Sequence, residues 1–349
     1  GDVTAAAVPP PVPRAVTVSA ASADAGGAAV AALLPLLVPL SRDEQDSVRL
    51  QAADSCVALA RLCNGGMASV TDGSAGAASA LGANAALRGR VLEVVLELAG
   101  DRAWRVRWSV ANRLSELVAA LGPDVTRGSL MAVFERLLTD GEAEVRTAAA
   151  YRVADVGAVA GREHVMATVL PCVVRLAEDA SEFVRAALAS VILGLAPALG
   201  EEATIASLLP IFLRLLRDTS PQVRLNIISK LEAVNAVIGL RMLSQSLLPA
   251  IGELSTDKQW RVRLAIIEFI PLLARQLGVE FFDAELTALC VKWLSDQVYA
   301  IREAAAVNLR KLAEVFGSAW AEGHLLPRVI ALASEGTYQC RLTSLQSVV

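Results

Sequence analysis

The sequence is poor in aromatic residues and has no surplus of positive charge. Aromatic side chains make up 4% of its 349 residues, and its 32 Lys and Arg are outnumbered by 36 Asp and Glu, for a formal net charge of −4. Without a basic surplus a chain lacks the electrostatic attraction that draws proteins to nucleic acid or to anionic membranes. We therefore expect neither as a partner. The 54% of hydrophobic residues are rich in alanine, which favours closely packed helices.

Cysteines and long apolar runs are also scarce. The five cysteines form no CxxC pair and are odd in number, which argues against a disulfide framework and favours a reducing, intracellular compartment. The longest strongly apolar run, VAALLPLLVPL at 30–40, is too short to span a bilayer and contains two prolines. No signal peptide pattern is present at the N-terminus. The sequence predicts no membrane insertion and a cytoplasmic protein, with the nucleus as a second compartment.

Residue patterns for catalysis or metal binding are missing as well. The two histidines, His164 and His324, belong to no HxxxH or HExxH spacing and have no cysteine pair nearby. The glycine-rich stretch GGMASVTDG lacks the lysine of a phosphate-binding loop. We predict no cofactor, no metal and no enzyme. An enzyme built on helical repeats remains an alternative, which a cofactor or metal in the purified protein would support.

What the sequence does have is a repeat of 39 residues, the spacing between Arg107 and Arg146 (146 − 107). An arginine recurs at this interval to the end of the chain. The positions are Arg107, Arg146, Arg185, Arg224, Arg263, Arg302 and Arg341. An earlier one, Arg49, lies 58 residues before Arg107 (107 − 49), which is one period plus a surplus. The surplus falls in 64–84, a Gly/Ala/Ser stretch that we predict to be a flexible inserted loop.

Other residues keep the same period. An acid stands six residues before each arginine. In the first seven repeats Gly (Asn64 in the first) stands fifteen residues after the arginine, as a left-handed helix C-cap requires. Between them runs an apolar stripe with helical spacing, for example Val223, Ile227, Leu231, Val234 and Ile238. A second stripe, Leu208, Phe212 and Leu215, precedes the acid. Each repeat is therefore predicted to be two antiparallel helices, which bury both faces only when neighbours stack.

The predicted fold is an all-α solenoid of eight repeats. Helices packed about 8–10 Å apart would make it roughly 60–80 Å long. The predicted repeats are 29–63, 85–122, 123–161, 162–200, 201–239, 240–278, 279–317 and 318–349. Residues 1–28, rich in Pro and Ala, are predicted to be a disordered tail. The last repeat stops inside its second helix, which leaves an apolar face without the usual terminal cap.

An aspartate in the turn and a Val-Arg pair opening the second helix resemble HEAT repeats. We expect each aspartate to cap a helix N-terminus, and the resemblance implies that each arginine bridges to the aspartate of a neighbouring repeat. Exposed ion pairs contribute only about 0.2–1 kcal/mol each, so the two columns are interpreted as setting register. The predicted ladder consists of Asp101, Arg107, Asp140, Arg146, Asp179, Arg185, Asp218, Arg224, Asp257, Arg263, Asp296 and Arg302.

Aromatic residues concentrate at one position, three before the ladder arginine. Four of the eight repeats have Trp or Tyr there, and the two tryptophans, Trp104 and Trp260, are each followed by an arginine. Aromatic residues and Arg are enriched in binding hot spots. Two interpretations stay open, because the indoles can either contact a partner or pack on the adjacent turn.

A more specific resemblance covers residues from about 33 to the end. The segments DEQDSVRL (43–50), WRVRWSVANRLSEL (104–117) and AEVRTAAAYRV (143–153), and the run that opens with VRLNIISKLEAV at 223 and ends at 305, resemble the scaffold subunits of protein phosphatase 2A. The resemblance implies a non-catalytic scaffold that holds a phosphatase catalytic subunit and exchangeable regulatory B-type subunits, as a heterodimer or heterotrimer.

The resemblance also implies roles for individual residues. It assigns to catalytic-subunit contact Lys258, Trp260, Arg261 and Tyr299, and to regulatory-subunit contact Trp104, Arg105, Glu142 and Glu144. The alternative is another HEAT-type adaptor, such as a nuclear-transport receptor. Less regular repeats and contacts spread along the concave helices would favour that alternative, whereas the unbroken spacing from Arg107 to Arg341 counts against it.

Overall fold

The structure, a computed structural model, describes residues 23–65, 75–234, 247–334 and 337–348. Every regular element in these ranges is helical, and the predicted all-α solenoid is confirmed. Each repeat consists of a first helix, a short turn and a second helix, and consecutive repeats pack side by side. We number the repeats 1 to 8 with the boundaries given above.

Most first helices are built from segments. Repeats 3, 4, 5 and 8 share an α-helical turn, a five-residue π-helical stretch and a longer α-helix. The bounds in repeat 3 are Pro123–Val125, Thr126–Leu130 and Met131–Leu138, in repeat 4 Arg162–His164, Val165–Val169 and Leu170–Leu176, in repeat 5 Glu201–Ala203, Thr204–Leu208 and Leu209–Leu216, and in repeat 8 Ser318–Trp320, Ala321–Leu325 and Leu326–Ala333. The others are Ala23–Leu40 in repeat 1, Ala75–Leu98 in repeat 2, Leu248–Leu254 in repeat 6, and Val279–Glu285 with Thr287–Trp293 in repeat 7.

The second helices carry the ladder arginines near their starts. Their bounds are Asp46–Gly65, Trp104–Leu121, Ala143–Ala150 with Val153–Ala160, Glu182–Val191 with Ile192–Leu195 and Ala196–Leu199, Pro221–Ile228, Trp260–Leu277, Tyr299–Phe316 and Tyr338–Val348. The first-helix segments that follow the π-helical stretch often open with proline, as at Pro171 and Pro210. Proline suits this place because its missing N–H needs no partner in a first turn. Repeat 3 has the same stretch with Ala132 instead, so proline is not its cause.

The core runs through the whole stack. The predicted stripe residues Val223, Ile227, Leu231 and Val234 are buried, as are Phe212 and its neighbours in the first helix. Ile238 lies outside the described residues. One helical stretch, Glu182–Leu199, is long and apolar enough to cross a membrane, but half of it is buried inside the protein, as expected of a core helix in a repeat stack.

The glycine at the end of the second helix differs in part from the prediction. Gly122 has φ +87° and ψ 172°, and Gly161, Gly200, Gly278 and Gly317 are similar. The positive φ was predicted, but the ψ belongs to a region open essentially to glycine alone and not to the left-handed helical cap. In repeat 1 the helix continues to Gly65, so Asn64 does not end it. Gly239 lies outside the described residues.

Two predicted boundaries also differ. The first helix begins at Ala23, inside the predicted tail 1–28, and the helix Ala75–Leu98 takes in the second half of the predicted loop 64–84. The stretch from 75 contains several alanines, the residue with the highest helix propensity, and these outweigh its two glycines. The rest of the tail and residues 66–74 lie outside the described residues.

Candidate protein-binding ridge

The ladder arginines join the turns of consecutive repeats. The guanidinium of Arg146 donates through Nε and NH2 to the two carboxylate oxygens of Asp179 in the next repeat, at 2.7 and 2.9 Å. Its NH1 donates to the backbone carbonyls of Asp140 and Gly141 in its own turn, at 2.7 and 3.1 Å. Two parallel bonds to one carboxylate fix both distance and orientation. One side chain therefore holds two adjacent turns in register.

This arrangement continues along the chain. The ion pairs are Arg49–Asp101, Arg107–Asp140, Arg146–Asp179, Arg185–Asp218, Arg224–Asp257 and Arg263–Asp296. Arg302 makes the equivalent bonds to the carbonyls of Asp296 and Gln297. The acid that completes its column, Glu335, lies outside the described residues.

Each ladder aspartate also organises the entry to a second helix. Asp179 Oδ1 accepts a hydrogen bond from the backbone N–H of Ser181 at 2.9 Å, and Asp140, Asp218 and Asp257 make the equivalent bond two residues on. The acceptor is thus two residues before the helix cap and forms an Asx-type turn. The prediction of direct N-capping was wrong in this detail, because the bonded N–H is that of the N-cap residue itself.

The ladder lowers the pKa of four of its aspartates. Burial acts to raise the pKa of Asp179, but the hydrogen bonds from Arg146 and from the Ser181 amide outweigh it, and the pKa lies below its ordinary value. The pKa values of Asp101, Asp140 and Asp218 are lowered in the same way. These four carboxylates therefore stay charged to a lower pH than an unperturbed aspartate.

The ladder defines a continuous edge that we call the turn ridge. It comprises the segments from each ladder acid to its ladder arginine, which are 43–49, 101–107, 140–146, 179–185, 218–224, 257–263 and 296–302. Because the ladder fixes the backbone of every turn, side chains on the ridge are presented by a rigid support. They differ in chemistry from turn to turn.

Two turns carry a preformed pair of tryptophan and arginine. The Cζ of Arg105 lies 4.9 Å from the ring centroid of Trp104, and the Cζ of Arg261 lies 4.7 Å from that of Trp260. Both indoles are partly buried against the core, whereas both arginines are exposed. The two interpretations of these tryptophans therefore combine. One part of each ring packs on the scaffold, and the cation is held over the ring at the surface.

The other predicted contact residues are also exposed on the ridge. Lys258 lies in the same turn as Trp260 and Arg261, and Tyr299, half-exposed at 50%, opens the helix of the next repeat. On the other part of the ridge Glu142 and Glu144 are exposed one repeat after Trp104 and Arg105. The predicted residues therefore form two separate patches, one on repeats 2 and 3 and one on repeats 6 and 7.

Sequence reasoning missed an exposed aromatic residue between these patches. Phe183 lies on the ridge in repeat 4 and is 68% exposed, more than any other phenylalanine in the described residues. It occupies the position two before the ladder arginine, one residue beyond the position searched for aromatics. A comparison of both positions in every repeat would have found it.

A polar network on the second helices was missed too. Arg113 pairs with Asp54 at 2.9 Å and with Glu116 at 3.0 Å, and Arg61 donates to the same Glu116 at 2.6 Å. These ion pairs connect the second helices of repeats 1 and 2 at a place away from the ridge. These residues belong to no column that recurs in every repeat, so periodicity could not reveal them.

His324 belongs to a cluster of side chains that links two repeats. Its ring stacks on Trp320 with centroids 5.8 Å apart, and its Nε2 lies 3.4 Å from a carboxylate oxygen of Asp283. The same carboxylate accepts the indole N–H of Trp320 and the hydroxyl of Thr287. This cluster joins the first helices of repeats 7 and 8. Asp283 contacts Trp320 and His324, and no recurring sequence spacing relates these positions. Periodicity therefore could not predict this contact.

Nothing in the described ranges points to cofactor or metal chemistry. No group of three or more His, Cys, Asp or Glu side chains there is arranged to hold a metal ion. The five cysteines are unpaired and buried. Burial raises the pKa of Cys56 and of Cys290 to about 12, which keeps both thiols protonated and unreactive.

Stacked two-helix repeats joined by an Arg–Asp ladder define the class of protein: the chain is a HEAT-repeat protein. Comparison with protein families gives the same class and, for part of the chain, a specific type of HEAT repeat. Residues 33–63 match the HEAT repeat, and residues 123–200 and 201–278 match the PPP2R1A-like HEAT repeat. The second match covers repeats 3 to 6, including the turn that carries Lys258, Trp260 and Arg261. No curated protein matches the chain significantly.

Solved structures with a similar fold include nuclear-transport proteins. Importin beta, crystallised in an ammonium sulfate condition, has a TM-score of 0.58 and 14% identity over 90% of this chain and 45% of its own. The karyopherin Kap121p has a TM-score of 0.57 and 14% identity over 91% of this chain and 34% of its own, in complexes with the extreme C-terminus of the protein phosphatase Cdc14p and with Pho4p. The chain thus spans less than half the length of either protein. At this identity the likeness shows the fold alone.

Proposed function

We propose that the chain is a non-catalytic scaffold that holds the catalytic subunit of a type 2A serine/threonine phosphatase on repeats 6 and 7 of the turn ridge. Regulatory B-type subunits would bind repeats 2 and 3 of the same ridge. HEAT-repeat solenoids are typically scaffolds and not enzymes. The observation that carries the proposal is the repeat 6 turn, which displays Lys258 and Arg261 beside Trp260 within the range that matches the PPP2R1A-like HEAT repeat.

The geometry of this turn suits a binding hot spot. Trp and Arg are the side chains most enriched at such sites. Arg261 is already held over the indole of Trp260, with 4.7 Å between its Cζ and the ring centroid, so less side-chain freedom is lost when a partner binds. Tyr299 in the next repeat extends the patch, and Lys258 adds a second cation. A partner that fits this patch would present acidic groups beside an apolar surface.

The patch on repeats 2 and 3 has a different charge pattern. Trp104 and Arg105 repeat the tryptophan–arginine pair, but the following turn offers the carboxylates of Glu142 and Glu144 in place of a lysine. A partner there must meet a cation and two anions in neighbouring turns. This difference supports separate partners for the two patches.

Mechanistically, such a protein acts through geometry. Four repeats separate the two tryptophan–arginine pairs, which is roughly 30–40 Å if each repeat adds 8–10 Å. An enzyme and a specificity subunit bound at these patches would meet at a high effective concentration. Small rotations between repeats would adjust the distance between them.

Calorimetric binding to a type 2A catalytic subunit tests the proposal. We expect the parent chain to bind, and Trp260→Ala and Arg261→Ala each to weaken binding by at least about 2 kcal/mol. Trp104→Ala is the matched control because Trp104 makes the same kind of cation–π pair four repeats away. It should leave catalytic-subunit binding unchanged and weaken binding of a regulatory subunit instead.

Two results would contradict the proposal. If neither subunit binds the parent chain, the phosphatase function is wrong and another HEAT-type adaptor role takes its place. If Trp104→Ala and Trp260→Ala weaken binding of the catalytic subunit equally, the two patches do not select different partners.

A further inference from the structure

The repeat 4 turn reverses the chemistry of the two tryptophan–arginine pairs. Its exposed Phe183 stands at the position that holds Arg105 in repeat 2 and Arg261 in repeat 6. The position of the tryptophan is occupied in repeat 4 by Glu182, which is also exposed. This turn therefore presents an acid followed by an aromatic ring, whereas the other two present an aromatic ring followed by a cation.

The backbone beneath Phe183 is held on both sides. Before it, the carboxylate of Asp179 accepts the backbone N–H of Ser181 at 2.9 Å. After it, Val184 is fully buried, and Arg185 pairs with the ladder aspartate of repeat 5 at 2.6 Å. The side chain of phenylalanine has only two rotatable bonds, so little conformational freedom is lost when a partner contacts the ring.

The ridge around Phe183 is negatively charged. The turns of repeats 3 and 4 carry three exposed glutamates, Glu142, Glu144 and Glu182, and no lysine. Their two arginines belong to the ladder and are already paired with aspartates. Glu144 occupies in repeat 3 the position that Phe183 occupies in repeat 4, so one repeat of about 8–10 Å separates the two residues. Carboxylates therefore lie beside the ring in its own turn and in the preceding one.

This charge separates Phe183 from the patch on repeats 6 and 7. That patch presents Lys258 and Arg261 and fits a partner with acidic groups. Glu144 and Glu182 would repel the same acidic groups. Phe183 instead continues the patch on repeats 2 and 3, because its turn follows directly on the one that carries Glu144.

Building on the proposed function, on which this inference rests, we propose that the regulatory subunit places an apolar pocket over Phe183 and lysine or arginine side chains on the rim of that pocket. The ring fills the pocket, and the cations meet Glu144 and Glu182 beside it. A basic rim is also repelled by Lys258 and Arg261, which keeps this subunit away from repeats 6 and 7. Phe183 thus helps to decide which subunit binds which part of the ridge.

Calorimetric binding of a regulatory B-type subunit to the full chain tests the pocket. We expect Phe183→Ala to weaken binding at least about tenfold, because the apolar contact is lost. Val174→Ala is the matched control. Val174 is 46% exposed in the same repeat but lies on the first helix, in the segment Leu170–Leu176, away from the ridge. Its replacement should leave regulatory-subunit binding unchanged, and neither variant should alter binding of the catalytic subunit.

Charge reversal tests the basic rim. Glu182→Lys should weaken regulatory-subunit binding at least about tenfold at low salt, because it sets a cation against the cations of the rim. The loss should shrink at high salt, which screens exposed charges. Glu163→Lys is the control for this variant. Glu163 is likewise exposed in the first turn of a repeat 4 helix, but it lies at the start of the first helix, outside the ridge.

Trp104→Ala separates failure of this inference from failure of the proposed function. If Trp104→Ala weakens regulatory-subunit binding and Phe183→Ala does not, the proposed function stands and the inference is wrong. The inference is also wrong if Phe183→Ala weakens binding of the catalytic subunit instead, or if Glu182→Lys leaves regulatory-subunit binding unchanged. A parent chain that binds neither subunit overturns both the inference and the proposed function. Circular dichroism checks that each variant is folded.

Discussion

The ladder predicts a specific energetic difference between two ion pairs of similar geometry. Arg146 and Asp179 have side chains only 17% and 9% exposed, whereas Arg42 and Glu97 form a bidentate pair between repeats with side chains 62% and 43% exposed. Water and salt screen the second pair, and measured exposed pairs contribute about 0–1 kcal/mol. The first pair is largely shielded from water. Replacing one charge there leaves a guanidinium without its anion.

We expect Asp179→Asn to lower the free energy of unfolding by about 2–3 kcal/mol. Breaking a fully buried ion pair costs about 3–5 kcal/mol, but Arg146 keeps its bonds to two backbone carbonyls and an amide oxygen can still accept. Asparagine also preserves the acceptor for the Ser181 N–H. Asp179→Ala removes that bond as well and should cost about 0.5–2 kcal/mol more. Glu97→Gln, the control, should cost much less than Asp179→Asn, because water and salt screen the Arg42–Glu97 pair.

Urea denaturation and hydrogen exchange together measure this difference. A long repeat array need not unfold in one step, so the free energy of opening should be read from amide exchange in repeats 3 and 4. If Asp179→Asn destabilises these repeats no more than Glu97→Gln destabilises repeats 1 and 2, the ladder does not hold the turns and the argument is wrong.

Three further predictions follow from the described side chains. Because Asp101, Asp140, Asp179 and Asp218 have lowered pKa values in the folded chain, the unfolded chain binds more protons near pH 4. The free energy of unfolding should therefore keep this contribution above the ordinary carboxyl pKa of about 4 and lose it as pH falls below that value. Urea midpoints that stay constant down to pH 3 would contradict this. Burial raises the pKa of Cys56 and of Cys290 to about 12, so iodoacetamide at pH 8 should alkylate these thiols only as the chain unfolds. Rapid labelling of either cysteine in the native protein, detected by peptide mass spectrometry, would contradict this prediction. Gly194→Ala would press a Cβ against the Cβ of Ala154 and should cost about 1–3 kcal/mol. Gly252→Ala, where an added Cβ meets no atom within 4 Å, should instead gain up to about 1 kcal/mol in thermal melts.

Periodicity made the architecture predictable because every repeat solves the same packing problem. The stripe around Val223 recurs at the repeat period, and the positive φ of Gly122 recurs at Gly161, Gly200, Gly278 and Gly317, so one sequence shows each of them several times over. The ψ of these glycines was not predictable, because an absent Cβ permits more than one conformation. The helical start at Ala75 was missed because glycine and serine nearby outweighed alanine in our interpretation.

In the candidate site too, residues at a recurring repeat position were predictable and other contacts were not. Trp104 and Trp260 were found because they share a repeat position, whereas Phe183, one residue off that position, was missed. The stacking of Arg105 on Trp104 and of Arg261 on Trp260 depends on side-chain rotamers, which sequence spacing does not determine. Contacts between unrelated positions of different repeats, such as that of His324 with Asp283, were equally out of reach.

The proposed role rests on one chain holding two different subunits at once. Native mass spectrometry of the chain mixed with a type 2A catalytic subunit and a regulatory B-type subunit tests this most directly. The account predicts a complex with one copy of each, which loses the catalytic subunit on Trp260→Ala and the regulatory subunit on Trp104→Ala. Mutually exclusive binding of the two subunits, or binding of neither, would contradict it.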